Sequence, residues 1–167
     1  MKNIMLLSFL ICLFSCKKEE NKNIKKKQED NYSINVDFPD TVYVSKYYNG
    51  KINYKNELDT ITTKLLDINK PRFLEYGFTL TRNITYNETH LKKIETDTMI
   101  AENNRMIPLY SIRFKQLGVN YIDGMVTDEV NIENGGKNEK GEPMTRVITN
   151  EFRVTKKVIV IEKKEKK

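Results

Sequence analysis

Beyond residue 31, apolar and polar residues alternate with a period of two through most of the chain, the signature of half-buried β-strands. Ile34, Val36 and Phe38 fall on one side and Asn35 and Asp37 on the other, until Pro39-Asp40 interrupts and Val42 and Val44 resume. Asn49-Gly50 accommodates the positive φ angles of a tight turn and predicts a hairpin leading into Ile52 and Tyr54. Thr60 to Thr63 suits a further short β segment, Asn69-Lys70-Pro71 a turn, and Phe73 to Arg82 a strand with Tyr76, Phe78 and Leu80 on one face. Pro108 fits a strand start, where a missing donor costs least, before the alternation of Tyr110, Ile112 and Phe114. Ile122, Val126, Val130 and Ile132 share one parity, with Gly124 marking a bulge or a close approach. The polar run Glu133 to Pro143 predicts a long loop, and Met144, Ile148, Phe152 and Val154 a last strand ending in Val158 to Ile161, buried on both faces. Only Thr89 to Glu95 predicts a helical turn, with Leu91 and Ile94 three apart and Thr89 as its cap.

Many short strands with little helix predict an all-β fold, an antiparallel sandwich or barrel spanning residues 32–162. Leu117-Gly-Val-Asn-Tyr121 resembles the tyrosine corner of immunoglobulin-like domains, with Gln116 or Leu117 where those domains usually carry proline. The resemblance implies an immunoglobulin-like β-sandwich with strand E at residues 107–117, F at 120–132 and G at 145–161. It also implies Gly118 at the corner and a Tyr121 hydroxyl tied back to upstream backbone. An ordinary hairpin with a half-buried Tyr121 is the other reading.

The N-terminus carries an address. Lys2 precedes the apolar run Ile4 to Phe14, the charged and apolar regions of a secretory signal peptide spanning residues 1–15. As a helix that run would be roughly 16 Å long, about half of a hydrocarbon core of ~30 Å. Leu13-Phe14-Ser15-Cys16 resembles the lipobox of Gram-negative bacterial lipoprotein precursors, with Leu13 at minus three, Ser15 at minus one and a bulky Phe14 between. The resemblance implies cleavage before Cys16, a diacylglyceryl thioether on its thiol and a further acyl chain on the new amine. Cys12 falls in the removed segment, so the mature chain is expected to hold no free thiol for disulfides, catalysis or metal binding. Residues 17–31 carry one apolar side chain, Ile24, and are expected to form a charged tether with a reach of about 20 Å. Glu19 and Glu20 resemble the surface-export signal of some lipoproteins. The expected location is therefore the cell envelope, lipid-anchored in the outer membrane, on either the periplasmic face or the cell surface.

Charge changes this picture little. The formal net charge is +6, but much of the excess sits at Lys25 to Lys27 and in the basic tail 163–167, and export separates the chain from nucleic acid, so no nucleic-acid partner is expected.

Candidate chemistry is sparse. His90 is the only histidine and has no triad or ligand set around it. Glu57 with Asp59, or Asp123 with Asp128 and Glu129, are the nearest acid pairs for hydrolysis, and Asp128 stands out because it lies on the apolar parity of its strand. It is expected at a strand end, paired with an arginine such as Arg146, or in a cation site. Tyr43, Tyr47, Tyr48, Tyr54 and Tyr86 form either a sugar-stacking platform or ordinary strand packing. Asp40-Thr41-Val42, Asp59-Thr60-Ile61 and Asp97-Thr98-Met99 resemble the acceptor triplet of envelope O-glycosylation, implying Thr41, Thr60 and Thr98 as sites. The expectation is a protein without catalysis, metal or cofactor, working through envelope protein or glycan contacts by way of the last strands and the Glu133 to Pro143 loop. An inhibitory or accessory subunit of an envelope enzyme or toxin is the alternative.

Overall fold

Alternating side chains order into strands because each strand can bury one face only by laying it against a second sheet. In a computed structural model that describes residues 32–163, eight strands do this in two sheets. They are β1 (Ser33–Asp37), β2 (Thr41–Tyr43), β3 (Tyr47–Lys55), β4 (Arg72–Thr81), β5 (Asp97–Ile100), β6 (Met106–Arg113), β7 (Gly118–Lys137) and β8 (Pro143–Ile161). One sheet has the order β1-β3-β6 and the other β2-β8-β7-β4-β5. All pairs are antiparallel except β2, which lies parallel to the end of β8 through Thr41↔Ile159 and Tyr43↔Ile161. The expected all-β, sandwich-like architecture is therefore the observed one.

The core is built from both inner faces. Ile52, Tyr54, Ile107, Leu109 and Ile112 from the smaller sheet meet Leu74, Tyr76, Phe78, Ile122, Val126, Val154 and Val158 from the larger, and the cluster runs from Phe38 to Val160. Each such side chain, fully buried, contributes about 1.5–3 kcal/mol of transfer free energy. Gly124 is a close approach rather than a bulge, since pairing is regular through it. A Cβ there would lie 2.1 Å from the Gly77 carbonyl oxygen and 2.7 Å from the Phe78 Cα. Beside it the Tyr76 and Phe78 rings stack with centroids 5.3 Å apart, and Tyr76 reaches across β7 to donate to the Val154 carbonyl at 2.8 Å.

Several local expectations give way. The end of β8 is buried on one face only, since Val158 and Val160 point inward while Ile159 and Ile161 are exposed. Asn49-Gly50 does not turn the chain: it lies within β3, where the register shifts, and the turn falls at Ser45, which takes φ 61°. Gly50 is needed there for room, because a Cβ would meet the Asp37 carbonyl oxygen and the Phe38 ring at 2.6 Å. The helix α1 (Glu88–Ile94) is capped by Asn87, whose side chain accepts from the His90 N–H, rather than by Thr89. Thr60 to Thr63 form no strand but end a 3-10 turn (Glu57–Thr60) and run on irregularly, while residues 97–100 add an edge strand to β4. The predicted loop at 133–143 is mostly strand: β7 and β8 continue as a two-stranded ribbon to Lys137 and Pro143, past the last β4 pair at Arg72↔Val130. Its turn is tightened by Asn138, which accepts from the Lys140 and Glu142 N–H groups.

Candidate functional site

The two carboxylates singled out from the sequence lie on opposite faces of β7, and each is enclosed. Asp128 points inward, fully buried, and its partner is Arg72 rather than Arg146. Arg146 sits exposed in the ribbon, opposite Ile132. Arg72 grips Asp128 with two bonds, Nε to Oδ1 at 2.8 Å and Nη2 to Oδ2 at 2.6 Å. Its Nη1 donates to Asp59 Oδ1 and to the Thr62 carbonyl, both at 2.7 Å. The Tyr54 hydroxyl donates to Asp128 Oδ2 at 2.9 Å and accepts from Asn56 Nδ2, while Asn150 Nδ2 reaches Asn56 Oδ1 at 3.1 Å. Tyr54 belongs to one sheet and Asp128 to the other, so this network clasps the sheets together and holds the 56–71 segment across one end of the sandwich.

Its electrostatics follow from that enclosure. Burial alone would lower the Arg72 pKa, but bonds to Asp128 and Asp59 more than offset it and raise it. Burial would likewise raise Asp59, yet Asn104, Arg72 and Arg105 outweigh it and lower its pKa. Burial, with the Asp128 charge adding, drives the Tyr54 phenol strongly upward and keeps it a neutral donor. Deprotonating Tyr54 or protonating Asp128 would each break a charge-assisted bond, so the cluster suits cohesion better than proton transfer.

Asp123 faces the other way and is equally buried, beneath residues 82–96. Thr155 Oγ1 donates to its Oδ1 at 2.6 Å, and Arg153 grips it through Nε at 3.1 Å and Nη2 at 2.7 Å. The same guanidinium donates to the carbonyls of Tyr86 and Ile84 and lies over the Tyr86 ring. Asp123 thus pins the covering segment to the sheet. Glu129 shares its parity but accepts from Asn131 and Thr149. The expected acid groupings do not converge, because Asp128 and Asp123 face opposite layers. Glu57 is exposed at the start of a 3-10 turn (Glu57–Thr60), whereas Asp59 on the same turn is held by Arg72, Asn104 and Arg105.

The tyrosines do not make one platform. Tyr54 is in the buried clasp, Tyr48 accepts from the Tyr43 N–H and packs on Phe38, and Tyr86 lies under Arg153. Tyr47 and Tyr43 are exposed beside Arg113 and Lys46. His90 is on the surface of α1, its ring 5.5 Å from that of Tyr86. At the corner before β7, Gly118 adopts φ 90°. Tyr121 lies on the outer parity, half-buried opposite Thr81 and Lys157. The tie to upstream backbone is made by its neighbour Asn120, whose buried amide donates to the Gln116 and Gly118 carbonyls at 3.0 and 3.1 Å. Thr41, Thr60 and Thr98 are all exposed, although the Thr60 hydroxyl donates to the Glu57 carbonyl. Cys16 and the tether lie outside the described residues.

One feature escaped sequence reading. Leu66 and Ile68 are 90 % and 86 % exposed at the tip of the 56–71 segment. Among the described residues no helix is long and apolar enough to cross a membrane, and no group of three metal-ligating side chains converges. No protein-family model matches the chain, and no curated protein or solved structure is significantly similar to it.

Proposed function

We propose that this chain is a lipid-anchored lipoprotein of a bacterial cell envelope, held at Cys16, whose immunoglobulin-like domain acts by binding rather than by catalysis. The strand order supports the immunoglobulin-like reading. The sheet β1-β3-β6 corresponds to strands A, B and E, and β8, β7 and β4 to G, F and C, with β2 running parallel along the edge of G. The observation that carries the binding reading is the commitment of the buried acids. Asp123 and Asp128 are each held in a two-point arginine grip, so the domain spends its strongest polar chemistry on internal ties and offers surfaces outward.

The anchor is tested by growing cells that express the full chain with labelled palmitate. Label is expected on the wild-type protein and lost in Cys16→Ala; label-free wild type in the cytosolic fraction refutes the anchor. Affinity capture from detergent-solubilised envelopes then tests binding, with a stoichiometric protein or glycan partner expected. Turnover of an envelope substrate that disappears in Asp128→Asn, while the fold is retained, would refute the non-catalytic reading. One observation favours an inhibitory or accessory subunit: the β7–β8 ribbon projects beyond its sheet as a narrow finger suited to another protein's cleft. Loss of the captured partner's activity on binding selects that role.

A further inference from the structure

The exposed pair Leu66 and Ile68 sits on a held support rather than on a slack loop. Arg72 fixes the start of the segment through the Thr62 carbonyl, and its own N–H bonds the Leu65 carbonyl at 2.9 Å. Leu65 packs against the core, and the Asn131 N–H bonds the Pro71 carbonyl at 3.0 Å. Between these fixed points Asp67 accepts from the Asn69 and Lys70 N–H groups, shaping a turn that sends Leu66 and Ile68 outward. Lys64 and Lys70 flank the pair and are exposed. With Asp67 turned to its own backbone, the tip carries a net positive charge.

The same end of the sandwich is where the described chain begins. Ser33 pairs with Lys55, immediately before the 56–71 segment, and the Tyr32 ring packs on Phe152 with centroids 4.8 Å apart. Cys16 precedes Tyr32 by only 16 residues, a span of at most about 55 Å fully extended. Two apolar side chains fall far short of the roughly 800 Å² per partner that a stable protein interface buries. They suffice for a bilayer contact if an anchor already holds the domain at high effective concentration.

We propose that the tip 64–70 is a second membrane contact, in which Leu66 and Ile68 enter the headgroup region of a phospholipid bilayer and Lys64 and Lys70 lie over anionic headgroups. The contact turns toward the membrane the end of the sandwich at Arg72 and Val130, from which the β7–β8 ribbon also extends, and leaves Leu117 and Gly118 at the opposite end of β7. This inference rests on the lipoprotein reading for its anchor, but the contact itself can be measured without one.

The test uses residues 31–167, which form one compact unit holding every residue of the hydrophobic core, in co-sedimentation with vesicles of phosphatidylethanolamine and phosphatidylglycerol. Weak binding is expected, falling roughly tenfold in the Leu66→Ser/Ile68→Ser double variant. Lys64→Ala/Lys70→Ala should lose only the part that depends on phosphatidylglycerol, and Leu117→Ser at the far end should bind as wild type. All variants should keep the wild-type Tm, since the altered side chains are exposed. Failure of wild type to bind, or equal binding by the Leu66/Ile68 variant, overturns the proposal. So does a concentration-dependent dimer that the same double variant abolishes, because the occupant is then a second copy of this chain. A full chain that takes palmitate at Cys16 while its body ignores vesicles refutes the contact and leaves the anchor standing; an unlabelled chain whose body binds through Leu66 and Ile68 does the reverse.

Discussion

Replacing Asp128 with alanine removes the acceptor of two bonds from Arg72 and one from Tyr54 and leaves a fully buried guanidinium with one carboxylate, Asp59, and one carbonyl. Breaking a buried pair from one side costs about 3–5 kcal/mol, because the surviving charge cannot recover its hydration. A domain of this size is stable by roughly 5–15 kcal/mol, so the loss consumes a large share. With an unfolding entropy of roughly 0.28 kcal/mol/K for about 130 residues, the corresponding fall in Tm is about 11–18 °C. The discriminating partner is Arg72→Met/Asp128→Leu, which removes both charges and refills their volume. It should be more stable than Asp128→Ala, and the cycle it closes with Arg72→Met and Asp128→Leu should give a coupling energy of about 2 kcal/mol or more, the remaining loss coming from the Tyr54 hydroxyl, the Thr62 carbonyl and Asp59, each left with one partner fewer. The chain has nine tyrosines and no tryptophan, so urea unfolding is best followed by far-ultraviolet circular dichroism together with tyrosine fluorescence. A cost below about 1 kcal/mol for Asp128→Ala, or strict additivity in the cycle, would refute the clasp as a determinant of stability.

Two further outcomes follow from particular contacts. Gly124→Ala should unfold the domain or lower its stability by at least about 3 kcal/mol, since the added methyl meets backbone at Gly77 and Phe78 rather than a movable side chain; a Tm within a few degrees of wild type would contradict this. Glu95, whose Oε1 is buried without a partner, has its pKa raised by burial first and by Glu75 and Glu151 after it, against the lowering effects of the Met125 N–H and Lys92. A carboxyl raised in the folded state disfavours folding once ionised, so its penalty grows as pH climbs through the folded value and vanishes below the unfolded one, about 4.3. Glu95→Gln should therefore stabilise the domain at pH 7, by no more than about 1 kcal/mol given solvent screening, and match wild type near pH 4; urea midpoints at the two pH values measure the difference.

How much of this was written in the sequence depends on how local each cause is. The inner faces of β4 and β7 were legible at Tyr76, Phe78, Ile122 and Val126, because burial of alternate side chains is a property of the strand itself. Asn49-Gly50 misled because permission for positive φ is not a requirement for it, and Ser45 closed the turn instead. The ribbon was hidden because its glycines and polar side chains face water on both sides, leaving no alternation to read. Tyr121 drew attention as an aromatic before a long strand, yet Asn120 shares the parity of Ile122 and therefore reaches the inside of the corner.

The clasp lies between these cases. Asp128 announced itself by occupying an apolar parity, but the partner sought for it was a neighbouring strand's exposed arginine. Arg72 stands on the same inner parity as Leu74, Tyr76 and Phe78, so it too is a charge where only an apolar residue should be. Either charge alone would be too costly to bury. Two such violations of opposite sign, on strands that pair, imply one another: with Leu74 opposite Asp128 and Arg72 opposite Val130, the two charges are diagonal neighbours two positions apart on one face. Tyr54 from one sheet and Asp128 and Arg72 from the other make a non-covalent tie between the sheets, and because its bonds share the Asp128 carboxylate, removing that one member breaks all of them at once.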